Sequence, residues 1–219
     1  MTKAGESPFF VWRVGVMMKT MIAIPAMEQM YSWTAQCLEK LKRVGECDVE
    51  FVIRMPVDMA RNELARRAIE GGYERILWID SDMTFEPTMM EQLHEDIKSG
   101  WDIVTGMYFK RTFPLEPVIY SEIDTENFKA VTYWDYPQDQ LFPIAGCGFG
   151  GVLMKTELLT DLSEPPFLPF LHFSEDLSFC VRMREKGIGI ACDSRVKLGH
   201  LGTIVYGEKL YKHPSGVSG

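Results

Sequence analysis

Four apolar residues in a row, Ile76-Leu77-Trp78-Ile79, run directly into Asp80-Ser81-Asp82. An unbroken apolar stretch of this length predicts a central strand covered on both faces, and only a sheet with helices on either side provides that environment. Two carboxylates one residue apart at the end of such a strand repel each other and resist burial without compensation. A divalent cation supplies it. Oxygen ligands suit Mg²⁺ or Mn²⁺, ions that keep positions open for substrate phosphates. The plainer alternative is a solvated loop with two acids, and the apolar strand feeding them weighs against it.

The segments around this strand repeat a rhythm. After a lead-in over residues 1–19, Met21 to Pro25 reads as a strand, helical spacing follows from Tyr31 to Leu41, and Val49 to Ile53 is rich in strand-forming residues. Val57, Ala60, Leu64, Ala65, Ala68 and Ile69 recur at helical spacing before Gly71-Gly72. Pro87 opens another helix that Gly100 closes, and Asp102 to Tyr108 forms a fourth strand. Alternating strands and helices over residues 20–108 predict an α/β fold, with right-handed crossovers and a mostly parallel central sheet flanked by helices. Ligands of such sheets bind beyond the carboxyl ends of the strands, where the 80–82 triplet lies.

Beyond residue 110 the pattern becomes irregular. Gly146 to Gly151 leads into the strand-like Val152-Leu153-Met154, Ser174-Glu175-Asp176 precedes a helix to Gly187, and two strand-like segments follow, Ile188 to Ala191 and Val196 to Gly202. One domain over 20–219 is expected, with a nucleotide-binding half (20–110) and an irregular acceptor and catalytic half (111–205). A formal net charge of -8 disfavours nucleic-acid binding by charge alone. The five cysteines are scattered without a C-x-x-C pair, as expected of reduced thiols, and no apolar run reaches the roughly 20 residues of a membrane span. A cytoplasmic protein is the expectation, in the host cytoplasm if the chain is viral.

In its apolar strand followed by D-x-D, its first strand ending in Pro25, the Ala60-Arg61-Asn62 helix start, the Gly-rich segment, the Glu175-Asp176 pair and the late His200, the chain resembles GT-A glycosyltransferases of the inverting, family 2-like kind. The resemblance spans about residues 20–202. It implies a GT-A (Rossmann-like) fold and transfer of a sugar from a nucleotide-sugar, most simply a UDP-sugar, to a hydroxyl. It implies further that Asp82 binds Mn²⁺ or Mg²⁺, that Asp80 meets the ribose or reaches the metal through water, and that His200 completes the metal site. Pro25, Ser81, Gly150 and Gly151 would border the donor, Arg61 would lie near its diphosphate or nucleotide base, and Asp176 of the Glu175-Asp176 pair would be the general base. The acceptor stays open between a saccharide and a hydroxymethylated base in viral DNA, the latter needing a basic cleft from Arg61, Arg66, Arg67, Lys110 and Arg111.

Each assignment has a structural alternative. His200 beside glycines reads equally as a packed ring, Asp176 as a first-turn acid favoured by the helix dipole behind a Ser174 cap, and Arg61 as a solvated helix charge. Trp134, Tyr136 and Phe149 suit either acceptor stacking or the core. The triplet with Met83-Thr84 also fits the D-x-D-x-T motif of haloacid-dehalogenase-type phosphatases, in which Asp80 would be the nucleophile; that family places the motif on its first strand, and here two strand-helix units precede it. A non-catalytic sugar-nucleotide-binding module would keep Asp80 and Asp82 and need no base.

Overall fold

The computed structural model describes residues 18–160, 162, 164–170, 172–202 and 205–208, with only the backbone at 205–206; most of the lead-in lies outside them. Along the chain come β1 (Lys19–Ala26), α1 (Ser32–Lys40), β2 (Glu46–Ile53), α2 (Val57–Glu70), β3 (Arg75–Ile79), β4 (Met83–Phe85), α3 (Met89–Lys98) and β5 (Ile103–Met107). The second half adds β6 (Ile119–Asp124), β7 (Lys129–Thr132), β8 (Leu141–Pro143), β9 (Gly146–Cys147), β10 (Gly151–Lys155), α4 (Glu175–Glu185), β11 (Ile190–Leu201) and β12 (Val205–Tyr206).

The main sheet runs β12-β11-β5-β10-β3-β1-β2, with β4 and β8 also paired to β11. β1 is parallel to β2 and β3, and β11 is parallel to β5; β10 lies antiparallel between β3 and β5. A smaller sheet, β7-β6-β9, belongs to the second half. The predicted alternation over residues 20–108 is therefore present. The two late strand-like segments are in fact one strand, β11, bent by a register shift between Asp193 and Lys197.

Side chains of successive strand residues point to opposite faces, and both faces here are apolar, as the run in β3 required. Ile76 and Trp78 join Met21, Ala23, Val152 and Met154 under the apolar sides of α2 and α4. Leu77 and Ile79 join Ile22, Ile24, Leu153 and Val104 under α1 and α3. Every β3 side chain from Ile76 to Ile79 is fully buried. α2 stops at Gly71-Gly72, where Gly72 turns at φ +65°, a backbone conformation that costs glycine nothing.

Packing also claims much of the Gly-rich segment. A Cβ on Gly148 would meet the Tyr108 hydroxyl at 2.1 Å, and one on Gly151 the Leu198 Cδ2 at 2.5 Å. Phe149 and Tyr136 are core residues, at 1% and 4% exposure. The stacking role considered for them is thereby replaced by a core role.

Candidate active site

β3 delivers Asp80 and Asp82 at its carboxyl end, and the next element brings them a partner. Immediately past the triplet, β4 pairs antiparallel with β11 in the register His200↔Met83, and the Leu201 N–H donates to the Asp82 carbonyl at 2.7 Å. His200 Nε2 then stands 3.4 Å from Asp82 Oδ2. The other ring nitrogen, Nδ1, lies 3.1 Å from the Phe109 carbonyl oxygen. A carbonyl only accepts, so Nδ1 carries a hydrogen, and whenever the ring is neutral Nε2 turns its lone pair toward the carboxylate. Two electron-rich atoms facing each other suit a cation between them.

The triplet is anchored on its other side too. The Tyr31 N–H donates to the Ser81 carbonyl at 3.1 Å, tying the motif to the start of α1, and the Asp80 N–H reaches the Gly150 carbonyl at 3.4 Å. Pro25, Asp80, Ser81, Asp82, Arg111 and His200 border one cleft of about 390 Å³. Its remaining wall, formed by Ala26, Met27, Met55 and Val57, is apolar. A larger hollow of about 470 Å³ lies at the opposite end of the strands, around Glu74, Arg75, Lys155 and Thr156, and it holds neither Asp nor His.

Arg61 does not face this cleft as a free charge. It is 2% exposed, with Nη2 donating to Asp80 Oδ1 at 2.9 Å, Nε to Glu175 Oε1 at 3.2 Å and Nη1 to the Phe149 carbonyl at 3.5 Å. Its guanidinium carbon sits 5.7 Å from the Trp78 ring centre and 5.4 Å from that of Phe149. The residue thus clamps the end of β3 to the start of α4, and its donors are spent on protein acceptors. Gly150 and Gly151 likewise pack against Tyr108, Met83 and Leu198 on the side where a Cβ would stand.

Asp176 sits in the first turn of α4 with Glu175. Ser174 occupies the N-cap position without a side-chain cap bond; its hydroxyl donates instead to Asp176 Oδ1, which also accepts the Leu177 N–H at 2.7 Å. The negative charges reinforce one another. Burial raises the Asp80 pKa, Arg61 opposes it, and the charges of Asp82 and Asp176 raise it further. Glu175 is raised by burial and by Asp176, against Arg61. Burial also works upward on Asp82, but the hydrogen bond and charge that a protonated His200 brings, with the charge of Arg111, outweigh it and its pKa is lowered.

The basic cleft considered for a DNA acceptor is not formed by its five cations. Arg66 pairs with Glu63 and Glu70, Arg67 with Glu63 and Glu50, Lys110 with Glu116, Arg111 with Asp82 and Arg61 with Asp80 and Glu175. Among the described residues no three His, Cys, Asp or Glu side chains converge on one point. Asp82 and His200 form a pair, which fits an ion completed by water and substrate phosphate better than a closed protein cage.

β4 is, among the elements that sequence reasoning missed, the one that positions the site, and without it His200 has no reason to meet Asp82. Its only sequence signal was the apolar-polar-apolar triple Met83-Thr84-Phe85.

No family model and no curated protein matches the chain. Solved structures do. "A197 from STIV" aligns at a TM-score of 0.64 with 19% identity, covering 84% of this chain and 86% of that one. "GalNAc-T7 with UDP, GalNAc and Mn2+", a GT-A glycosyltransferase, aligns at 0.55 with 9% identity, covering 90% of this chain and 46% of the other. At such identities the likeness concerns architecture, and with the mostly parallel, helix-flanked sheet it identifies the fold as GT-A.

Proposed function

We propose that this chain is a metal-dependent glycosyltransferase that takes a sugar from a nucleotide-sugar, a UDP-sugar first among them, and places it on a hydroxyl acceptor with inversion. The observation carrying this reading is the approach of His200 Nε2 to Asp82 Oδ2, 3.4 Å apart at the mouth of a cleft that also holds Asp80. The GT-A neighbour solved with UDP, GalNAc and Mn²⁺ adds that this fold houses such a ligand set.

In this reading Asp82 and His200 would hold Mn²⁺ or Mg²⁺, which when bound would supply positive charge to stabilise the leaving diphosphate. Asp80, steadied by Arg61, would face the ribose or meet the metal through water. Asp176 takes the proton of the acceptor hydroxyl as its oxygen bonds to the anomeric carbon, and the electron pair of the breaking bond leaves on the diphosphate. Attack opposite the leaving group inverts the centre. A saccharide is the favoured acceptor, because the net charge is -8 and Arg61, Arg66, Arg67, Lys110 and Arg111 are each already paired with carboxylates. For the phosphatase alternative, the Asp80 oxygen held by Arg61 is a poor nucleophile.

Thermal unfolding with UDP, with and without Mn²⁺, tests the reading, since a ligand of the native state raises its apparent stability. UDP is expected to raise the Tm of the unmodified chain only with Mn²⁺ present, and to have no effect on Asp82→Asn. Equal, metal-independent UDP binding by that variant would sink the assignment. Release of phosphate from a monoester would favour the phosphatase.

A further inference from the structure

The chain supplies its own cation to the Asp82 carboxylate. Arg111 Nη1 donates to Asp82 Oδ2 at 2.8 Å and to the Leu201 carbonyl at 3.0 Å, so it occupies the same carboxylate oxygen that faces His200. The loop bearing Arg111 is tied at its base: Phe109 bridges Pro117, the Lys110 N–H donates to the Glu116 carbonyl at 2.8 Å, and the Lys110 ammonium pairs with the Glu116 carboxylate at 2.6 Å. The Arg111 side chain is itself 44% exposed and lines the cleft. Releasing it from Asp82 costs the hydrogen bonds to Asp82 and Leu201 and frees a partly exposed side chain at the cleft.

A Mg²⁺ ligated by Asp82 would sit about 2.0–2.1 Å from a carboxylate oxygen. A guanidinium hydrogen-bonded to that oxygen competes for the same face and carries the same sign of charge. We propose that Arg111 is the counter-ion of Asp82 in the donor-free site, that a divalent ion entering between Asp82 and His200 displaces it, and that the displaced guanidinium then takes up the donor diphosphate. This rests on the metal-assisted reading above and adds where the charge of Arg111 goes. A planar guanidinium offers paired donors to phosphate oxygens, which suits it to the second position.

The exchange makes ion and diphosphate cooperative. Without phosphate the ion must break the Arg111–Asp82 pair and leave Arg111 without an anion; with phosphate present the released charge finds one. The coupling is reciprocal, so Mn²⁺ tightens UDP by the factor by which UDP tightens Mn²⁺.

Mn²⁺ binding read from the paramagnetic resonance of the free ion tests this, with Asp82→Asn as background and with UDP absent or present. In the unmodified chain, Mn²⁺ alone should bind weakly and UDP should tighten it. In Arg111→Gln, Mn²⁺ alone should bind about two- to fivefold tighter, the range set by loss of one partly exposed ion pair, and the tightening by UDP should shrink. Arg111→Lys, which keeps a single compact charge, should fall between. Equal or weaker Mn²⁺ binding by both variants without UDP overturns the exchange and leaves the metal site standing. Absence of Mn²⁺ binding in every form, with and without UDP, removes the metal-assisted reading itself.

Discussion

Arg61 is a buried cation whose removal exposes what it holds. With leucine in its place, Asp80 and Glu175 remain in a site where burial and neighbouring acids already raise both pKa values, now without the opposing charge. Breaking a buried ion pair from one side costs about 3–5 kcal/mol, so Arg61→Leu is expected to lose that much in urea unfolding at pH 7. Part of the loss should return at pH 5, where protonation relieves the stranded carboxylates; a loss that is small and independent of pH would show that Arg61 is not the clamp. Asp176→Asn should behave differently. Its Oδ1 can still accept from the Leu177 N–H and the Ser174 hydroxyl, so geometry and donor binding should survive. What disappears is the base, and kcat is expected to fall about 10²–10⁴-fold with the donor KM little changed. A variant of unaltered kcat would take the base role from Asp176.

At the scale of elements, the site depends on how the half of β11 beyond its register shift seats against its neighbours. Leu198 of β11 fills the space above Gly151 of β10, and an alanine Cβ there would come within 2.5 Å of it. Gly151→Ala is therefore expected to cost about 1–3 kcal/mol through overpacking, and to weaken Mn²⁺-dependent UDP binding because His200 lies two residues beyond Leu198. Unchanged stability would mean that Leu198 finds another rotamer without moving β11. The same elements show what was legible in the chain. β1, β2, β3, β5 and the four helices announced themselves by period and by their stops, because each buries a continuous stripe against one sheet. The antiparallel insertion of β10, the three residues of β4 and the junction of two late segments into β11 left no such trace, since they follow from partners distant in sequence. The carboxylates were legible for a local reason, charge at the end of an apolar strand. The engagements of Arg61 and Arg111 were not, because an arginine's partner across the fold has no local pattern.

For the whole molecule, two buried groups on α3 set opposing pH dependences. Asp96, 5% exposed, is pushed up from 3.8 to about 7, first by burial and then by the Asp193 charge, with Arg195 opposing. Its Oδ2 finds no donor among the described residues, so nothing there stabilises a charge on that oxygen. A carboxyl raised on folding favours the folded state below its unfolded value, and that stability is lost as pH rises toward about 7. His94, 1% exposed with both ring nitrogens unpartnered among the described residues, is pushed down from 6.5 to about 4, first by burial and then by the charges of Arg75 and Lys98. A depressed histidine stabilises above its unfolded value, and that stability is lost as pH falls toward about 4. Between about pH 4 and 6.5 the folded state holds one extra proton at Asp96 while the unfolded state holds one extra at His94. Their slopes, each about 1.4 kcal/mol per pH unit, therefore cancel. Urea unfolding of the unmodified chain should show little contribution from either group across that window. Asp96→Asn should uncover the histidine, with stability falling as pH drops from 6.5 toward 4; His94→Leu should uncover the carboxyl, with stability falling as pH rises from 4 toward 7. Parallel pH profiles for the two variants would show that these groups do not titrate across the fold as their burial requires.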